Sequence, residues 1–231
     1  GAAMTNPKLV GSNIIDAIPQ TGECPNHCSE CFYNSGRFYR TLDEPLLPAP
    51  SEALGKIVRV NSGNDSNNHR QLVLQSTDQY QHKFYNTAIP RLDFPGPVVL
   101  TINPQHNKDA AFVDPPRNLM FVRVRVGTWD SEIAKKAVEH YCNRHTPVVM
   151  TFMRYYNAEL IPESHKVDYE WKQHILNPYW CPKTEAVLHF MEQFKATGAR
   201  LCGTPWSSLC VDCGNCEALY WRCMRRMEEK S

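Results

Sequence analysis

Two short runs of cysteine are the residues in this chain best suited to chemistry. The first is Cys24-Pro25-Asn26-His27-Cys28-Ser29-Glu30-Cys31, with spacing C-x3-C-x2-C, shortly after the apolar run Ile14-Ile15-Asp16-Ala17-Ile18. Three thiolates on one short loop can hold three irons of a four-iron cluster. The fourth iron is then left without a protein ligand and is open to a small molecule. The other reading of such a run is a zinc knuckle. A structural zinc site is normally closed by four protein ligands, and no cysteine follows Cys31 until Cys142. The missing fourth sulfur favours iron and sulfur. His27 lies inside the loop, where three cysteines are already present, and reads as loop packing.

The bulk composition narrows the alternatives. A length of 231 residues suits one domain with at most a small appendage. A formal charge of +1 makes no electrostatic case for nucleic acid or an anionic membrane. No apolar run reaches the roughly 18 residues of a membrane span. Gly1-Ala2-Ala3-Met4 looks like a tag remnant with no secretory signal after it. Ten cysteines, six of them in two tight clusters, suggest metal or cluster ligation in a reducing cytoplasm rather than disulfides.

The elements that must position the cysteines alternate along the chain. Strands are expected at 12–18, 57–60, 98–103, 119–126, 148–155 and 199–202. Between them lie helices, or long connectors such as 41–51 with Pro45, Pro48 and Pro50. Ile133, Ala134, Ala137, Val138 and Tyr141 recur at helical period after a cap at Thr128 or Asp130. Val187, Phe190, Met191 and Phe194 do so before a stop at Gly198. A last helix is expected from Glu217 to about Glu229, its Arg222, Arg225 and Arg226 a solvated face. Such alternation implies α/β architecture with parallel strands, and six units make a partial barrel. Sites on such sheets lie at the C-terminal strand ends. The first cysteine loop, the polar loop Asn61 to Asn68, Asn103 and Cys202 all fall there. Arg123 and Arg125 alternate with Val122, Val124 and Val126. The helix-covered face wants to be apolar, so the arginines point inward by elimination, to meet an anion or a buried carboxylate. The same alternation turns Thr101 and Asn103 inward, with Thr151, Met153 and Tyr155 as further inward residues.

The cysteine spacing after a first strand resembles the signature of the radical S-adenosylmethionine (SAM) superfamily. The resemblance covers about residues 12–205 and implies a partial (β/α)6 TIM-like barrel, preceded by a tail at 1–11 and followed by a cysteine-rich extension at 206–231. It implies that Cys24, Cys28 and Cys31 ligate a [4Fe-4S] cluster whose open iron chelates SAM. Reductive cleavage of SAM would then give a 5′-deoxyadenosyl radical that abstracts hydrogen from a substrate, here expected to be a small molecule. An external electron donor such as flavodoxin or ferredoxin is implied as a partner. The family's aromatic residue before the third cysteine is Glu30 here, and Phe32 and Tyr33 follow instead, with Phe38 and Tyr39 further on. Ser62-Gly63-Asn64-Asp65 stands where the family places its SAM ammonium loop, without being that motif. Glycine permits backbone approach, and the Asn and Asp oxygens accept from an ammonium; an ordinary polar turn is the other reading. Arg123 and Arg125 suit the SAM carboxylate or an anionic substrate.

The second run is Cys210-Val211-Asp212-Cys213-Gly214-Asn215-Cys216, C-x2-C-x2-C, the spacing that ferredoxins wrap around a four-iron cluster. Gly214 relieves the turn. Cys202 or Cys223 supplies a fourth ligand, with Cys202 preferred because it ends a strand at the active end. An auxiliary [4Fe-4S] cluster and a structural zinc site are both open. Cys142 and Cys181 read as plain buried thiols. His140, His145, His165, His174 and His189 lack metal spacing. The competing view of the whole chain is a non-enzymatic zinc- or iron–sulfur-binding interaction or electron-transfer protein.

Overall fold

Apolar runs buried on both faces become the strands of one parallel sheet. The structure, a computed structural model, describes residues 6–29, 31, 33, 39–173 and 178–229. Strands β1 (Ile14–Ala17), β2 (Ile57–Val60), β3 (Lys83–Thr87), β4 (Val98–Ile102), β5 (Leu119–Val126) and β6 (Val148–Phe152) lie side by side in chain order. A separate antiparallel ribbon joins β7 (Tyr169–Lys172) to β8 (Tyr179–Pro182). The short β9 (Arg200–Leu201) then pairs with β6 and completes a curled, seven-stranded half-barrel. The helices are α1 (Pro50–Ala53), α2 (Arg70–Thr77), α3 (Ser131–Cys142), α4 (Thr184–Glu192), α5 (Cys210–Cys213) and α6 (Asn215–Glu228). Among the described residues no helix is long and apolar enough to cross a membrane.

The sequence pattern predicts six strands, and the sheet has seven. The unforeseen member is β3, Lys-Phe-Tyr-Asn-Thr, whose inward residue Asn86 is polar because it lines the site; half of the expected apolar signal is therefore missing. The β7–β8 ribbon also falls where the pattern shows only a polar and aromatic passage. Its strands are four residues each, too short for a period to register. Neither Thr128 nor Asp130 caps α3 with its side chain. The Asp130 carboxylate reaches back to the Gly127 N–H at 2.6 Å, and Thr128 donates to Asp168.

Strand alternation divides the sheet into two unlike faces. The convex face is apolar throughout. Val58, Val60, Leu100, Val122, Val124 and Met150 pack there with Val73 of α2, Ala134, Ala137, Val138 and Tyr141 of α3, and Val187 and Phe190 of α4. The concave face changes character along each strand. Ile14, Ile57, Phe84, Val99, Phe121 and Val149 form a lower apolar layer against Leu219, Tyr220 and Cys223 of α6. Two residues on, the same strands present Asp16, Arg59, Asn86, Thr101, Arg123 and Thr151.

Helix α6 therefore lies in the concave face rather than at the margin of the barrel. Its buried residues Asn215, Leu219, Tyr220 and Cys223 recur on one helical face. Asn215 donates to the Leu201 carbonyl at 2.7 Å and seats the first turn. At the other end Arg226 donates to the Arg117 and Leu119 carbonyls, so it is a structural anchor and not part of a solvated face. Leu219 is 1% exposed and central to this contact. Leu219→Ala is expected to lower stability by about 3 kcal/mol, read as a lower urea midpoint at unchanged slope.

Candidate functional site

The loop after β1 carries the first cysteines to the C-terminal ends of the strands. Cys28 is buried, and Cys24 and Cys31 are half-buried. The loop is tied down by the polar segment after β2. Asn26 donates to Asp65 at 2.9 Å, Asn68 donates to the Asn26 side-chain Oδ1 at 2.9 Å, and the Asn68 side-chain amide lies 3.7 Å from the Cys24 sulfur. Gln20 bridges the same segment by donating to the Asp65 and Asn68 carbonyls. His27 is exposed, with φ +44°, and does not pack into the loop. Glu30, Phe32, Phe38 and His174 lie outside the described residues. Tyr33 packs at 5.9 Å from Tyr39 and shares a 2.7 Å hydrogen bond with Ser62.

Asp65 is the knot of this arrangement. It is 3% exposed. One carboxylate oxygen accepts from the Asn67 N–H and the Thr87 hydroxyl, the other from the Ala88 N–H and Asn26. These four bonds use the acceptor capacity of a carboxylate. Asp65 therefore holds the loops and strand ends together and leaves no acceptor for a ligand ammonium. Asn64 is similarly engaged, its side-chain oxygen accepting from the Asp65 N–H at 2.8 Å. Gly63 serves a close approach, but to Tyr39: a Cβ there would stand 2.4 Å from the Tyr39 Cβ. These three residues and Ser62 do line a cleft with Cys24, Cys28 and Cys31.

That cleft, of about 70 Å³, has the polar layer of the sheet as its floor. Arg123 and Arg125 both line it, as do Asn61, Asn86, Thr101 and Asn103. Arg123 donates to Asn86 at 3.1 Å. Asn61 and Asn103 are 1% and 4% exposed, and the side-chain oxygen of each lacks a hydrogen-bond partner among the described residues. A buried acceptor left unmatched costs about 1–3 kcal/mol, which a ligand donor would recover. The cysteines are the only sulfur donors in the described lining.

A buried carboxylate does pair with an inward arginine, one that the sequence reasoning passed over. Arg59 donates to Asp16 through Nε at 2.6 Å and through a second nitrogen at 3.1 Å, and Tyr39 donates to the same carboxylate at 3.0 Å. The signal was present, since Arg59 interrupts the apolar strand Ile-Val-Arg-Val as Arg123 and Arg125 interrupt β5.

The second cysteine group sits on the same floor. Cys210, Cys213 and Cys216 are placed by the single turn α5, the left-handed Gly214 (φ +61°) and the start of α6. They line a cleft of about 80 Å³ together with Cys202, Arg59, Arg123 and Arg125. Cys223 does not line it. Its buried thiol faces the Asn118 carbonyl at 3.6 Å in the lower apolar layer, because α6 carries it two turns away. Cys181 is buried, whereas Cys142 is half-buried at the edge of the convex core.

Charge differs sharply among these thiols. Burial pushes Cys28 up to about 11, with Cys31 and Cys24 adding to it. Burial pushes Cys216 up to about 12, against the pull of Arg123 and Arg59. Cys202 is exposed at the surface, and the cations around it, Arg123 and Lys8 foremost, outweigh desolvation and hold this thiol below its ordinary value. Among the described residues, no three His, Cys, Asp or Glu side chains stand close enough to hold one metal ion. A four-iron cube takes its sulfurs at separate corners, whereas zinc draws all of its ligands to about 2.3 Å from a single centre.

Comparison of the chain with family models, curated proteins and solved structures finds no match. In protein stripped of metal, iodoacetamide near neutral pH is expected to modify Cys202 at least about tenfold faster than Cys28 or Cys216, by peptide mass spectrometry. Arg123→Gln should slow Cys202 selectively. Equal rates at the three thiols would show that the cations do not act as described.

Proposed function

We propose that the chain is an enzyme of the radical SAM type, with a [4Fe-4S] cluster held by Cys24, Cys28 and Cys31. The observation that carries this reading is the first cleft, whose described lining brings three sulfurs, without a fourth, beside two buried amide oxygens unmatched among the described residues and two arginines. In this reading the sheet is a partial TIM-like barrel, with β1 to β6 as the units of a (β/α)6 core and β9 added at the edge. The chemistry supplied at such a centre is transfer of one electron to the SAM sulfonium, giving methionine and a 5′-deoxyadenosyl radical that takes hydrogen from substrate.

The chain's own residues supply binding, orientation and shielding. Arg123 and Arg125 suit the carboxylate of an amino acid headgroup, and Asn61 and Asn103 accept from its ammonium. Asp65 acts as a positioning residue for the cysteine loop. Around the second group, Cys202, Cys210, Cys213 and Cys216 form a complete set of four sulfurs, suited to a fully ligated auxiliary cluster. Four thiolates there would be strongly anionic, and Arg59, Arg123 and Lys8 complement that charge. An external donor such as flavodoxin or ferredoxin would deliver the electrons.

The test is electron paramagnetic resonance of anaerobically reconstituted, reduced protein, with and without SAM. Roughly four to eight irons per chain and a four-iron signal that shifts on adding SAM are expected. Cys24→Ala, Cys28→Ala and Cys31→Ala together should abolish the SAM-sensitive signal and leave that of the second group. Arg123→Gln should weaken SAM binding roughly tenfold or more. Bound zinc with no cluster signal would overturn the proposal, and a cluster indifferent to SAM would favour electron transfer.

A further inference from the structure

A space larger than either cleft lies beside the cysteines. A cavity of about 550 Å³ opens between the end of β6, the β7–β8 ribbon and residues 204–209. That volume lies within the range of small-molecule sites. It shares Lys8, Thr151, Cys202 and Ser208 with the second cleft. Three adjoining spaces thus run along the strand ends from the first cysteine group to β9. The groove of about 830 Å³ beside α3 is larger, but it carries both signs of charge and has no cysteine in its described lining.

The charged groups lining the 550 Å³ cavity have one sign. Lys8, Arg154 and Lys172 contribute to it, and its described lining holds no Asp or Glu. Lys172 is exposed and stands 3.5 Å from Glu170, so its charge is answered outside the cavity. Arg154 is different. Its guanidinium donates to the Tyr179 hydroxyl at 3.3 Å and lies 5.1 Å from that ring's centroid. Tyr179 is buried, so the guanidinium is held in one orientation. Among the described residues Arg154 forms no ion pair with a carboxylate. Lys8 is close enough to feel it: burial first, then Arg154, bring the Lys8 ammonium down to about 7. The oriented Arg154 guanidinium, in a described lining without Asp or Glu, is suited to an oxyanion. The rest of the wall mixes Pro182, Val187 and Leu201 with the polar Thr151, Thr204 and Ser208. Trp171 and Trp206 keep 46% and 77% of their surface exposed at its rim, as aromatic faces for a planar body.

We infer that this cavity is the substrate chamber of the proposed enzyme and takes a small molecule with a carboxylate or phosphate on a planar, aromatic body, with Arg154 as its anion-binding residue. The word substrate rests on the radical SAM reading; the binding site rests on the lining alone.

The test is isothermal titration of the full-length chain without SAM or reductant. The probes are uridine 5′-monophosphate, phenyl phosphate and indole-3-carboxylate, each against its neutral counterpart uridine, phenol and indole. At least one anion should bind roughly tenfold or more tightly than its counterpart, the worth of a charged hydrogen bond. Arg154→Gln should erase that preference, and Arg154→Lys should restore part of it. Lys172→Gln should change it by no more than about twofold, as for an exposed, paired charge. The inference is overturned if no anion outbinds its neutral counterpart, or if the preference survives Arg154→Gln. Neither result depends on a SAM-sensitive cluster, so this inference and the radical SAM reading fail separately.

Discussion

The seat of α6 in the concave face is the contact on which the rest depends. A half-barrel has an open inner surface, and an apolar inner surface cannot be left to water. Leu219 and Tyr220 cover the lower layer, each such burial contributing about 1.5–3 kcal/mol. Over the upper layer stand the single turn α5 and loop segments rather than α6, and there the strands change to Asp, Arg, Asn and Thr within two residues. The boundary between stability and chemistry is thus a boundary of coverage. The same helix carries Asn215 and Cys216 on its first turn, so seating it against β9 also sets the second cysteine group on the polar floor.

Charge is distributed unevenly over that floor. The chain as a whole is nearly neutral, at +1. Along the strand ends, however, Arg59, Arg123, Arg125, Arg154 and Lys8 line the three adjoining spaces. Asp65 is the single Asp or Glu in their described linings, and its acceptors are already used within the fold. Asp16 answers Arg59. Cations gathered along one floor suit thiolates and bound anions. The proposed clusters and the inferred anionic ligand share this physical basis. The lowered Cys202 thiol and the raised Cys216 thiol show how locally the field acts.

Much of this was legible from residue order. Strands β1, β2, β4, β5 and β6 are dense in apolar residues because both of their faces are buried at the lower level, and such runs announce themselves. The inward turn of Arg123 and Arg125 follows from alternation, which is local. What stayed hidden has a common cause. Strand β3 lines the site with Asn86, and β7 and β8 are short aromatic strands whose partners are each other. Asp65 reads as a possible ligand in a polar loop; its saturation by Thr87, Ala88 and Asn26 involves segments 22 and 39 residues away.

The sequence by itself determined the two cysteine runs, the alternation that makes a parallel α/β sheet, and the polar residues at the strand ends, because each depends on neighbours within a few positions. Only the tertiary structure decided that both cysteine groups share one floor, that Cys202 and not Cys223 lines the cleft of the second, and that Arg59 takes the buried carboxylate of Asp16. It also decided that Lys8, Arg154 and the β7–β8 ribbon enclose a third space. These are matters of which strand ends meet in the curled sheet, and that is set by burial of the lower layer under α6, a long-range contact that no local spacing encodes.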